Sequence, residues 1–156
     1  MLEHDALFIE PPRVGPQGVY RPIRDEPTRR VLGHAFRTPR ANSWNVFRPR
    51  TETVYEAPDG SLLCSVSRRW WLGERVVFEA DHRAVAELRG RLVLSAEGRL
   101  IAERSLWHPP GEFRGIGGQV IARWHRAPQG LCLRFDALIE GEPLVRMALL
   151  GAVLML

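Results

Sequence analysis

Arg68, Arg69, Trp70 and Trp71 stand in a row within SRRWWLGER, and their types suit binding better than any other short stretch of the chain. A guanidinium fork takes two oxygens of a phosphate at once. Indole rings settle at the depth of lipid headgroups, so the pair of types fits an anionic membrane interface. The plainer reading is a strand end, because neighbouring strand residues face opposite ways and would send one tryptophan inward while the arginines stay in water. A second candidate, FRGIGGQV, brings together Gly115, Gly117 and Gly118. It lacks the preceding strand, following helix and lysine of a phosphate-cradling loop. A bulge or tight bend ahead of the strand QVIARW is expected there instead.

Metal and catalytic chemistry find little support. His4, His34, His82, His108 and His125 show no zinc-like spacing, and none lies near a cysteine in sequence. Cys64 and Cys132 sit in the apolar stretches SLLCSV and LCLRF, where a thiol acts as a small buried hydrophobe. Serines such as Ser95 and Ser105 have no nucleophile-elbow setting, and Glu140 and Glu142 flank a glycine as an exposed turn would. No catalytic residue, metal ligand or cofactor is nominated, and the chain is expected not to be an enzyme.

The bulk composition sets the class. A chain of 156 residues is of single-domain size, and 45% hydrophobic with 26% charged residues is ordinary for a packed globular protein. The net charge is +4, and all 22 basic residues are arginine. Nine of these lie between Arg13 and Arg50, in a stretch also rich in proline and turn residues, which reads first as a solvated face. Two cysteines make no disulfide framework, and MLEHDALFIEPP is not a charged-then-apolar leader, so a cytoplasmic protein is expected, perched at most on a membrane surface.

The elements that must hold these residues are strands. Residues 1–17, with EPPRVGPQG, read as an N-terminal arm. Residues 18–156 then read as one domain of hairpins. In YEAPDGSLLCSVSRRWW, Pro58, Asp59 and Gly60 form a turn, after which Leu62, Cys64 and Val66 share a face. In RVVFEADHRAVAELR, Val76, Phe78 and Ala80 alternate, Asp81 and His82 turn, and Ala84, Ala86 and Leu88 return. RLVLSAEGRLIAER repeats the plan about Glu97 and Gly98, with Leu92, Leu94 and Ala96 on one side and Leu100 and Ala102 on the other. Looser units turn at Asp25 to Pro27 and at Ala127 to Gly130, so about five hairpins follow one another. Closing such a meander into a barrel removes its exposed edges.

The chain's last stretch, LVRMALLGAVLML, completes the picture. Pro143 suits a first helical turn, and the residues after it are good helix formers except Gly151. Apolar residues all round require burial on every side. Spanning a bilayer takes about 20 such residues; this run is shorter and carries Arg146 near its start. The fold class predicted is therefore mainly β, a closed antiparallel β-barrel of consecutive hairpins around a central hydrophobic helix over about 143–156.

This arrangement resembles the phospholipid scramblase, tubby C-terminal and LURP-one-related superfamily. YEAPDGSLLCSVSRRWW is similar to its strand, Asp-Gly turn, strand and basic-aromatic stretch. VYRPIRDEPTRRVLGHAF looks like its opening hairpin, and EGEPLVRMALLGAVLML like its closing strand and central helix. The resemblance implies a tubby-like barrel and, through the superfamily's members, association with membrane phospholipid, phosphoinositide headgroups or calcium. The chain departs from the calcium-driven members in lacking a loop of alternating aspartates, and it has neither a long Pro-rich arm nor a cysteine cluster for acylation. The expected function is a non-enzymatic lipid- or partner-binding module using Arg68, Arg69, Trp70 and Trp71, with an anionic phospholipid, a membrane surface or a protein as partner. A lipid translocator is the first alternative. A nucleic-acid binder is the second, disfavoured because no aromatic platform interleaves the arginines.

Overall fold

The computed structural model describes residues 1–37, 51–68, 74–105 and 111–155. The described residues are mainly strands. They are β1 (Ala6–Ile9), β2 (Arg13–Gly15), β3 (Gly18–Asp25), β4 (Val31–Arg37), β5 (Thr51–Glu56), β6 (Leu62–Arg68) and β7 (Arg75–Glu79). After these come β8 (Ala84–Arg89), β9 (Leu92–Ser95), β10 (Leu100–Arg104), β11 (Gly111–Arg114), β12 (Val120–Ala127) and β13 (Gly130–Phe135). A 3-10 turn, Ala137–Ile139, leads into the helix α1 (Pro143–Leu154). From β3 to β13 each strand pairs antiparallel with its sequence neighbours. β1 then fits between β13 and β3 and closes a twelve-stranded barrel.

The five hairpins read from sequence are β3–β4, β5–β6, β7–β8, β9–β10 and β12–β13. Their turns sit where the residue types place them: Gly98 takes φ +78° after Glu97, a conformation that only glycine adopts without a steric penalty. His82 takes φ +65° in the Asp81–His82 turn. The glycines of FRGIGGQV form the turn between β11 and β12, with a register shift at Phe113 and Arg114.

Two readings of the sequence are corrected. The segment taken as an N-terminal arm contains β1, whose Leu7, Phe8 and Ile9 are all buried. Leu7 lies opposite both Leu133 of β13 and Asp25 of β3, so this strand is a stave of the barrel. Pro11 and Pro12 end it because they carry no N–H to donate, and β2 resumes the pairing along the same edge of β3. The second correction concerns facing. In β7 the inward residue is Val77, paired with Val66 and Ala86, rather than Val76 or Phe78. In β9 it is Val93, opposite Leu88 and Ala102, while Leu92 is exposed. RVVF and LVL offer apolar residues at both parities, and bulges beside Val77 and Ala102 break the strict alternation on which the reading rested.

The apolar stretch after Pro143 is the barrel's filling. Ala148, Leu149 and Leu150 have no exposed surface, and every residue from Arg146 to Leu154 is buried. The helix packs on the adjacent strands β6, β7, β8 and β9 and, away from them in the sheet order, on β13. At Gly151 the wall comes closest: a Cβ placed there would lie 2.8 Å from Val77 Cγ2 and 3.1 Å from Val66 Cγ2. Arg146 is secured at the N-terminal pole. Its Nε donates to the Ile139 carbonyl (3.1 Å) and its Nη1 to the Leu2 carbonyl (2.8 Å), while Nη2 reaches Asp5 (3.3 Å) and the guanidinium lies over the Phe135 ring. A buried cation is stable here because each face meets an acceptor or a ring.

Candidate functional site

The inward rows of apolar side chains on β3, β4, β5, β6 and β7 each end, at the pole where α1 finishes, in a charged residue. Arg21 lies two positions before Ile23, Arg37 two after Ala35, Glu52 two before Val54, Arg68 two after Val66, and Arg75 two before Val77. A spacing of two keeps each on the inner face of its strand. The cross-strand pairs agree: Arg21 faces Ala35, Arg37 faces Glu52, and Arg68 faces Arg75. Arg21, Arg37, Glu52, Arg68 and Arg75, with Leu154 and Met155 of the helix end, line a cavity of ≈ 220 Å³. Arg104 of β10 follows the same parity after Ala102 and borders a smaller space shared with Arg75, Phe113 and Ala152.

Part of this charge is accounted for within the protein. The last carbonyls of a helix have no partners of their own and carry its negative end. Arg21 donates to the Leu154 carbonyl at 3.3 Å and Arg75 to the Met155 carbonyl at 3.0 Å. Arg37 donates from Nε and Nη2 to the same oxygen of Glu52, at 3.0 and 2.6 Å. Much remains over. A guanidinium has five N–H donors, and each helix-capping arginine uses one of them on the helix. Arg68 meets no carboxylate among the described residues. The Arg104 Nε and the second Glu52 oxygen, Oε2, are buried without a hydrogen-bond partner among those residues. Burial and the neighbouring Arg68 hold the Arg75 guanidinium below its ordinary range, and burial with Arg75 does the same to Arg104. Like charges crowded in a poorly solvated place favour an anion among them.

Elsewhere the outer face of β3, β4 and β5 carries an aromatic group. Tyr20 stacks near Phe36 (5.8 Å between centroids), His34 meets Tyr20 edge-on at 5.6 Å, and Tyr55 meets Phe36 at 5.7 Å. A broad cleft of ≈ 620 Å³ lies over it, bordered by Phe36, Tyr55, Glu56 and Pro58. Both thiols are buried, and burial lifts Cys64 to about 12 and Cys132, aided by Glu26, to about 11. They are poor nucleophiles at neutral pH, which matches the packing role expected of them. Among the described residues no three metal-ligating side chains gather, and no helix is long and apolar enough to cross a membrane.

Of the residues nominated from sequence, Arg68 is exposed at the end of β6 and belongs to the arginine rim. Arg69, Trp70 and Trp71 lie outside the described residues. Sequence reasoning missed Arg21, Arg37, Glu52, Arg75 and Arg104. The available signal was the charged residue that continues an inward row at spacing two. No protein-family model, curated protein or solved structure matches the chain.

Proposed function

We propose that this chain is a non-enzymatic, cytoplasmic barrel of the scramblase, tubby and LURP-one-related kind that binds an anionic phospholipid at a membrane surface. One observation carries the reading: the rim cavity at the C-terminal end of α1 gathers Arg21, Arg37, Arg68 and Arg75 around a single carboxylate, Glu52. The helix fills the interior and leaves the rim as the place where a ligand meets charge. Polybasic surfaces gain about 1 kcal/mol per arginine near an anionic bilayer, an attraction that salt screens within a Debye length. The helix is the barrel's core, which favours binding lipid over moving it.

The experiment is flotation of the purified chain with liposomes, neutral or containing anionic lipid, at low and raised salt. Co-flotation with anionic vesicles alone, weakened by salt and by Arg68→Gln, is the expected result. Absence from every vesicle fraction, or equal binding to neutral vesicles, overturns the reading.

A further inference from the structure

The surplus of guanidinium donors says that the rim takes an anion; Glu52 says which one. Its carboxylate is almost wholly buried and lines the cavity, with Oε1 accepting both bonds from Arg37. No donor from the described residues reaches Oε2. Glu52 lines the cavity together with Arg21, Arg68 and Arg75, so an oxyanion seated among them has this carboxylate as its neighbour. Two unprotonated oxygens in that position repel, whereas one shared proton turns repulsion into a short charge-assisted hydrogen bond.

We propose that the rim cavity is a phosphomonoester site, in which Arg21, Arg68 and Arg75 hold the phosphate oxygens and Glu52 Oε2 shares the one proton such a group retains. The inference rests on the reading of the rim as an anion site and narrows its ligand. A phosphomonoester or inorganic phosphate has its second ionisation near pH 6 to 7 and so brings a proton at little cost. A sulfate or a phosphodiester brings none. Arg21 and Arg75 also hold the helix end, so the bound phosphate is continuous with the packing of α1 and steadies that pole of the barrel.

Calorimetric titration of the full chain with inorganic phosphate, glycerol phosphate and sulfate at matched ionic strength tests this directly. Phosphate and its monoester are expected to bind more tightly than sulfate by about tenfold or more, the usual effect of leaving a buried polar group unmatched. Glu52→Gln offers an amide donor in place of the acceptor, so sulfate binding should rise until the preference disappears. Arg68→Gln, at an exposed position, should weaken both anions alike, and circular dichroism with a thermal melt verifies that each variant is folded. Equal affinity for sulfate and phosphate in the unmodified chain, or a preference that survives Glu52→Gln in a folded protein, overturns the proposal.

Vesicles matched in surface charge separate the two sources of a phosphomonoester. Phosphatidate preferred over phosphatidylglycerol, with release by free phosphate, assigns the site to a lipid headgroup. Binding of phosphate with no binding to either kind of vesicle assigns it to a soluble monoester, upholding the site while removing the membrane reading. Flotation on anionic vesicles with no affinity for phosphate or phosphatidate does the opposite, since the membrane reading then stands and the phosphomonoester site fails.

Discussion

Gly151→Ala is a substitution whose sign depends on where the helix lies. In a helix exposed to water, replacing glycine by alanine stabilises by about 1 kcal/mol, because the backbone has less freedom to lose and the helix is better formed. Inside the barrel the new methyl meets Val77 Cγ2 at 2.8 Å and Val66 Cγ2 at 3.1 Å. Those valines are fully buried, sit opposite one another in the β6–β7 ladder, and have stiff β-branched side chains with little room to turn. Overpacking of this kind costs about 1–3 kcal/mol. Setting the propensity gain against it leaves a net destabilisation of up to about 2 kcal/mol, and a chain of this size loses about 2–4 °C in Tm per kcal/mol. Urea unfolding followed by tryptophan fluorescence and circular dichroism measures it. Val77→Ala in the same chain should relieve the clash, so the double variant is more stable than the sum of its two single changes. A Gly151→Ala chain that is more stable than the parent refutes the placement of α1 against Val66 and Val77.

Other substitutions test the remaining joints. Leu7→Ala should destabilise by about 2–5 kcal/mol in denaturant unfolding, since Leu7 is fully buried in the closing strand, and an effect within experimental error would return residues 1–17 to the status of an arm. Arg146→Met removes the donor to the Ile139, Leu2 and His4 carbonyls and should cost about 1–3 kcal/mol, as leaving buried acceptors unmatched does; a neutral outcome would mean that this pole is solvated. Cys64 and Cys132 should resist a thiol reagent in the native state and react only in denaturant. Because folding raises Cys64 from 9.0 to about 12, its contribution is intact below pH 9 and is lost as pH rises toward 12; alkaline unfolding curves of Cys64→Ala should lack this component.

What was legible in the sequence was what local chemistry determines. Asp-Gly and Glu-Gly turns between alternating runs define hairpins wherever they occur, and an all-apolar helix has few places to go. What stayed hidden depends on pairing between distant segments. ALFI in β1 is only four residues long and gains its role from Leu131, Leu133 and Ile23, which the sequence does not place beside it. GEFR in β11 is equally short and carries one fully buried aromatic, Phe113, too little to show a period. The facing of β7 and β9 was obscured because RVVF and LVL are apolar at both parities. The rim was obscured for a different reason. A dispersed set of arginines looks solvated until barrel closure brings the ends of six strands to one pole, although Ala35–Arg37, Val66–Arg68 and Arg75–Val77 each carry the spacing that marks an inward charge.

The account stands on α1 being enclosed by the strands, and amide hydrogen exchange on the detergent-free protein measures that enclosure directly. The amides of Met147 to Leu154 are expected to exchange only through global unfolding, with the same free energy as the β6 and β7 ladder. Exchange of this segment through local opening, with the strands still protected, would contradict it.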